Sequence, residues 1–243
     1  MPYFVLIIIF FILGLVLAHF NIPFIFFIIG LIAFVINQVA TEIKAMLTPQ
    51  DLFFSIDKDI NLPENTRLQK EFEKADTWIK NKGFQFDSCL FQKSKASSQL
   101  IRIYIWMTPD RTVNFVMIDH LKTLNKINFI FESKFENGYS LNTTTIDIFY
   151  PYPHNFCIQS FPNKNLEQLW TMHIESENTI QNQMNTIKKS ISNDMLFELK
   201  KDTKELGEYL TNIFAWQLRI PYWIMIRKLF VRNKKIHIRS NMN

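Results

Sequence analysis

An uninterrupted apolar run near the start of the chain constrains its fold more than any other feature. Residues 1–41 contain no Asp, Glu, Lys or Arg, and Tyr3–Ala40 consists mostly of Ile, Leu, Phe and Val. One bilayer crossing needs about 20 apolar residues, so the run is long enough for two. Pro23, in its middle, disfavours one continuous helix. The run therefore predicts a transmembrane helical hairpin with spans over Tyr3–Ala18 and Ile22–Ala40.

A cleaved signal peptide ending near Ala18 is the alternative interpretation. No basic residue precedes the apolar run and a second apolar run follows it, and both features favour the hairpin. Lys44 follows the second span and the C-terminal segment is basic, so the positive-inside rule places both termini in the cytoplasm. We expect a bacterial inner (cytoplasmic) membrane location, with Cys89 and Cys157 as reduced thiols.

The net charge of +5 originates at one end of the chain. Residues 42–208 carry 20 basic and 22 acidic residues, whereas residues 209–243 carry seven basic residues and no acidic one. This distribution argues against a generally basic nucleic-acid-binding domain. It predicts a local contact with an anionic partner near the C-terminus.

The sequence between these two ends predicts an α+β domain over residues 63–218. Before it, residues 42–62 are expected to form a linker with a short juxtamembrane helix at Asp51–Ser55, because Thr48 and Pro49 are typical of a helix start. Apolar residues at helical spacing predict a helix from Pro63 to Lys82, ended by Gly83. Alternating apolar residues predict strands within 84–90, 101–107, 113–117, 126–135 and 139–148, with a short edge strand at 155–160.

These strands should form an antiparallel meander sheet of five or six strands packed with helices. The turn at Asn137-Gly138 leaves two registers open. A two-residue turn sets Phe135 opposite Ser140, whereas a three-residue bulged loop sets Phe135 opposite Tyr139 and Ser133 opposite Leu141. The bulged loop keeps the apolar faces together, so we prefer it.

Two helices are expected after the sheet. Asn165 and Gln168 resemble a capping pair at the start of the first, and the second begins near Ser192. Apolar residues seven apart in the second helix would suit a coiled-coil dimer, but Thr203 and Gln217 interrupt the complementary positions. Packing on the sheet is therefore favoured.

Residues 219–243 predict an amphipathic basic helix lying in the cytoplasmic membrane interface, because the segment combines apolar, aromatic and basic residues without an acid. The alternative is that the apolar residues cover the domain's own core and the basic tail is solvated. The residues predicted to contact the interface are Trp223, Arg227, Lys228, Arg232, Lys234 and Lys235.

No constellation with a strong chemical signature occurs in the sequence. His173 and Glu177 lie one helical turn apart, which suits a metal pair or an oriented base, but a buried histidine supported by a carboxylate is favoured because no second ligand pair accompanies it. The five glycines are scattered, which argues against a nucleotide-binding loop. We therefore expect no cofactor, no metal and no catalytic residue. Candidates for lining a ligand pocket are Tyr104, Trp106, His120 and His173, although aromatic residues on a sheet are more often core.

The leading functional hypothesis is a membrane-anchored cytosolic interaction or assembly module, a non-catalytic subunit of a membrane complex. Its partners would be the lipid bilayer, anionic headgroups, and membrane proteins or a second copy of the chain, with no nucleic acid. The alternative is a membrane-bound enzyme or lipid- or metabolite-binding domain with a pocket between sheet and helix. A third hypothesis is that the basic tail recruits the domain to anionic lipid.

Overall fold

The computed structural model describes residues 28, 30–34, 36–37, 40–41, 53–56, 66–93, 100–120, 127–148 and 150–235. Residues 28–41 are helical wherever they are described. The strands are β1 (Phe53–Ile56), β2 (Gln85–Lys93), β3 (Leu100–Met107), β4 (Val113–His120), β5 (Ile127–Phe135), β6 (Ser140–Thr144), β7 (Phe156–Ser160) and β8 (Lys188–Lys189). The helices are α1 (Thr66–Asn81), α2 (Leu166–Met184), α3 (Met195–Thr211), α4 (Trp216–Tyr222), a π-helical turn (Trp223–Arg227) and α5 (Lys228–Val231).

The sheet follows chain order from β1 to β7, and β8 pairs with the end of β5. Neighbouring strands from β1 to β6 are antiparallel. The predicted α+β class with a mainly antiparallel sheet is therefore confirmed, but the predicted number of five or six strands is wrong, because β1 and β8 add to the sheet. The predicted edge strand exists as β7, but it pairs parallel to β6, because the eleven residues between them carry the chain back to the same end of the sheet before β7 begins.

The β5–β6 hairpin has the bulged register predicted from its faces. Ser133 pairs with Leu141, and the backbone N–H of Phe135 donates to the carbonyl of Tyr139 over 2.9 Å. Gly138 has a φ of +84°, a left-handed conformation that residues with a Cβ rarely adopt. The loop chemistry and the apolar faces thus select the same pairing.

The central strands bury both of their faces between helices. On β3, Tyr104 and Trp106 point into a core shared with α1 and α2, while Ile103 and Ile105 point into a second core closed by the start of α3. Because successive side chains of a strand point to opposite faces, one apolar strand serves both layers. The domain is therefore a sheet with helices on each side, and side chains in its central strands are remote from solvent.

The short helix predicted at Asp51–Ser55 is wrong. Phe53–Ile56 is strand β1, which pairs antiparallel with residues 89–92 of β2. The edge of β2 offers unpaired backbone donors and acceptors, and pairing with them outweighs a helix-start signal of a few residues.

The predicted transmembrane hairpin over residues 1–41 is also corrected, because no helix of the described residues is long and apolar enough to cross a bilayer. The first predicted span, Tyr3–Ala18, and much of the second lie outside the described residues. Apolar composition alone does not separate a lipid-facing helix from one that packs on protein. Ala40, at the end of the second predicted span, is buried against Trp216, Ile220 and Trp223.

Candidate functional site

Two residues of the predicted ligand pocket are core residues. Tyr104 and Trp106 are completely buried, and the indole Nε1 of Trp106 donates to Oδ1 of Asp76 over 3.0 Å. Burial raises the pKa of Tyr104 to about 12. Neither aromatic ring lines an open pocket. His120 ends strand β4, and its side chain lies outside the described residues.

The third pocket candidate, His173, lies in a buried polar network between α2 and the sheet. Its Nε2 lies 2.9 Å from Oγ of Ser133, and its Nδ1 lies 2.9 Å from Oγ1 of Thr143. Nε2 is also 3.5 Å from Oε1 of Glu177. Ser133 donates its hydroxyl hydrogen to the same Glu177 oxygen. The helix thus contributes an imidazole and a carboxylate, and strands β5 and β6 contribute the hydroxyl groups.

Gln159 on β7 extends the network. Its Nε2 donates to Oγ1 of Thr143 over 2.7 Å, and its Oε1 accepts from Oγ of Ser176 over 3.0 Å. Because Thr143 accepts from Gln159, its own hydrogen is available for Nδ1 of His173. Because Ser133 donates to Glu177, its oxygen accepts from Nε2 of His173. A neutral imidazole with its hydrogen on Nε2 satisfies all of these bonds at once.

The electrostatics of the network favour this neutral form. Burial lowers the pKa of His173. Burial raises the pKa of Glu177, but the contacts with His173 and Ser133 and the charge of Lys188 outweigh it, so the pKa lies below its usual range. Nζ of Lys188 lies 3.5 Å from Oε2 of Glu177. The network therefore consists of a neutral histidine and an ionised, paired carboxylate.

The network contains the residue types of a catalytic nucleophile and base, but a substrate could not reach them. Ser133 and His173 are completely buried, and Glu177 is nearly so. A serine that attacks a substrate must be reached by it and must pass its hydrogen to the base, whereas Ser133 is enclosed and already donates to Glu177. The arrangement holds α2 against the sheet by satisfying polar groups in a dry core.

Sequence reasoning identified His173 and Glu177 but missed Ser133, Thr143 and Gln159. A signal for Ser133 was present, because it lies between Phe131 and Phe135 on the inward face of β5. A polar residue at such a position needs a buried partner.

Metal and thiol chemistry find no support in the described part of the chain. No group of three or more His, Cys, Asp or Glu side chains there could hold a metal ion. Cys89 and Cys157 are free thiols, and burial raises the pKa of each to about 11. A thiol with such a pKa is a poor nucleophile at neutral pH.

Among the described residues, a row of exposed apolar side chains lies on the C-terminal helices and the turn before them. Five large apolar residues of α4, the π-helical turn and α5, and one in the turn just before α4, are at least 45% exposed. They recur about every four positions, so they lie along one side of this segment. We call this surface the C-terminal apolar face. It consists of Phe214, Leu218, Tyr222, Ile226, Leu229 and Phe230.

Trp223, which the sequence assigned to a membrane interface, is buried instead. It packs with Leu210, Trp216 and Ile220 beneath the C-terminal apolar face. The inward positions are therefore occupied by the domain's own core, which was the alternative prediction for this segment. The outward positions remain exposed.

The predicted basic contacts divide into two groups. Arg232 has Nε 3.5 Å from Oδ1 of Asp147, and Lys235 pairs with Glu175, so both are engaged by the domain itself. Lys234 is exposed and lies over the ring of Phe230, with Nζ 5.5 Å from the ring centre.

The other two basic residues are described to different extents. Lys228 has a side chain outside the described residues, and Arg227 is half-buried.

Comparison of the chain with family models, with curated proteins and with solved structures gave no significant match.

Proposed function

We propose that this chain is an interaction module that docks on an anionic phospholipid surface through its C-terminal apolar face, with the C-terminal helices lying along that surface. The observation that carries the proposal is the row of exposed large apolar side chains in a segment with seven basic residues and no acidic one. Helices of this composition lie in the plane of a lipid interface, with the apolar side inserted and the basic residues near headgroups.

The apolar part of the proposal follows from exposure. Leu218 is 71% exposed and Phe230 is 61% exposed, and burying one large apolar side chain contributes about 1.5–3 kcal/mol. Ile28 and Ile32, on the N-terminal helical residues, are also exposed. A surface with this many uncovered apolar residues marks an interaction site more often than ordinary solvent-facing surface.

The charge of the segment selects the partner. Arg219 and Lys234 are exposed beside the apolar face, and a basic residue close to an anionic leaflet contributes about 1 kcal/mol. Anionic lipid offers both an apolar interior and a negative surface, which together match the two kinds of side chain.

The test is vesicle co-sedimentation of the purified full chain with neutral phosphatidylcholine vesicles and with vesicles that also contain phosphatidylglycerol. We expect stronger binding to the anionic vesicles, and weaker binding in high salt, since salt shortens the screening length from about 10 Å at 0.1 M to about 3 Å at 1 M. The double variant Leu218→Glu/Phe230→Glu should bind anionic vesicles roughly a hundredfold more weakly, because it removes two apolar side chains worth about 3 kcal/mol together.

The matched control is Phe197→Glu, which replaces a 59% exposed aromatic residue on α3, outside the C-terminal apolar face. It should bind as the unaltered chain does. Equal binding to neutral and anionic vesicles, or equal losses in the double variant and the control, would overturn the proposal. Binding unchanged in the double variant would do the same, since the apolar face would then make no contact with lipid.

A further inference from the structure

A small pocket lies between the start of β7 and the C-terminal helices. Its volume is about 210 Å³, and its polar lining residues are Tyr152, His154 and Arg227. Its apolar walls include Phe156, Ile158 and Val231. It therefore combines two side chains that can donate hydrogen bonds to a ligand, Arg227 and His154, with a wall suited to uncharged groups.

Arg227 distinguishes this pocket from ordinary surface irregularities. Its Nε is buried and, among the described residues, has no hydrogen-bond partner. The ionisable groups around it are the phenols of Tyr222, Tyr209 and Tyr152, which carry no charge at neutral pH. The nearby carboxylate of Asp147 lies 3.5 Å from Arg232. Burial lowers the pKa of Arg227, which reflects the cost of a charge that no carboxylate in the described part of the chain compensates.

Buried guanidinium groups are normally paired with anions, because arginine has five donors and no acceptor. A phosphate group matches this requirement, since two of its oxygens accept parallel bonds from the planar guanidinium. The ring of His154 also lines the pocket and can donate to a further oxygen, whereas the phenol of Tyr152 is hydrogen-bonded to the phenol of Tyr150.

We propose that this pocket binds a phosphate group, with Arg227 as its main ligand and His154 as a further donor. The group belongs either to a soluble phosphate or phosphomonoester or to the headgroup of a phospholipid. The proposal stands independently of lipid docking by the C-terminal apolar face, because it rests on Arg227 and the pocket alone.

The first test measures the melting temperature of the purified full chain in increasing inorganic phosphate, with chloride at matched ionic strength as the reference. We expect phosphate to raise the melting temperature and chloride not to, because a ligand that binds only the folded chain stabilises it. Arg227→Gln should weaken the phosphate response at least about tenfold, since it removes both the positive charge and the planar guanidinium that can donate two parallel hydrogen bonds. The matched control is Arg219→Gln, which replaces an exposed basic residue on α4. Its melting temperature should respond to phosphate as that of the unaltered chain does.

Stability in the absence of phosphate separates a binding role from a structural one. Removing a half-buried charge that no carboxylate compensates should leave the melting temperature of Arg227→Gln equal to or above that of the unaltered chain. If Arg227→Gln does not fold, Arg227→Lys is used in its place. Lysine keeps the positive charge but cannot donate two parallel hydrogen bonds, so the response of the melting temperature to phosphate should still weaken. A phosphate response that is equal in the arginine variant and in the control, or no response beyond that of chloride, would overturn the proposal.

The two sources of the phosphate group are separated with vesicles. If Arg227→Gln also weakens binding to phosphatidylglycerol vesicles, the phosphate group belongs to a phospholipid headgroup. If Arg227→Gln loses only the response to inorganic phosphate, the phosphate group belongs to a soluble ligand. Leu218→Glu/Phe230→Glu should retain the phosphate response in either case. Failure of lipid docking and failure of the phosphate site therefore give different results.

Discussion

The buried neutral histidine makes a specific prediction about stability in acid. His173 is completely buried and accepts a hydrogen bond at Nδ1 from Thr143. Protonating it would replace that acceptor with a second donor and place a charge in the core. The pKa of His173 is lowered from its ordinary value of 6.5 by burial. Below pH 6.5 the unfolded chain therefore takes up this proton while the folded chain does not.

The magnitude follows from proton linkage. Where the unfolded state binds one proton more than the folded state, the free energy of unfolding falls by about 1.4 kcal/mol for each pH unit of acidification. This stability is fully present above pH 6.5 and is lost as the pH falls towards the folded pKa. Glu177 has a lowered pKa, so the stability that its carboxylate contributes is lost only as the pH falls below the ordinary glutamate pKa of 4.5. That loss therefore begins at a lower pH than the loss caused by His173.

The assay is urea unfolding of the purified chain at several pH values between 7 and 5, for the unaltered chain and for His173→Gln. Glu132 and Asp202 have pKa values raised by burial, and raised carboxyl pKa values give a pH dependence of the opposite sign. The difference between the two proteins removes that contribution because both retain these carboxyl groups. Relative to His173→Gln, the unaltered chain should lose up to about 1.4 kcal/mol per pH unit below pH 6.5.

Parallel pH profiles for the two proteins would refute the assignment of His173 as a buried neutral group. His154→Gln, at an exposed histidine, is the control for replacing an imidazole with an amide. If His173→Gln fails to fold, NMR titration of the His173 ring in the unaltered chain tests the same point. Loss of the neutral ring signals above pH 6.5 would contradict the lowered pKa.

Two further predictions concern the β5–β6 hairpin. Ser133→Ala removes the hydroxyl between His173 and Glu177 and should cost about 1–3 kcal/mol of unfolding free energy in urea, because buried polar groups lose a partner; a cost no greater than that of Ser190→Ala, a control at an exposed serine, would contradict it. Gly138→Ala meets no neighbouring atom within 4 Å, but its φ of +84° should make it about 1 kcal/mol less stable, and an unchanged melting temperature would show that the loop relaxes.

Local patterns were sufficient to predict most of the sheet. The alternation in β3 and β4 and the turn before Gly138 gave the antiparallel order and the bulged register, since both depend on residues close in sequence. Strand β1 was missed because Phe53–Ile56 is too short to show alternation and owes its conformation to pairing with β2. The parallel pairing of β7 likewise depends on where the preceding loop carries the chain.

The candidate site was less accessible to sequence reasoning because its parts are distant in sequence. His173 and Glu177 are four residues apart, and their pairing was apparent from helical spacing. Ser133 and Thr143 lie 40 and 30 residues from His173, so only the tertiary fold brings them together. For the same reason composition could not tell that Tyr104 and Trp106 are enclosed by α1 and α2 rather than lining a pocket.

The C-terminal helices combine two roles that composition alone could not separate. Trp216, Ile220 and Trp223 are spaced by four and three residues and cover the core, whereas Leu218 and Tyr222 occupy the intervening positions and face outward. Replacing an inward residue therefore removes buried contacts and costs stability. Replacing an outward residue should leave stability nearly unchanged, since surface substitutions alter it by about 0.5 kcal/mol or less. Any loss of lipid binding in the outward variants can accordingly be attributed to the surface itself and not to unfolding.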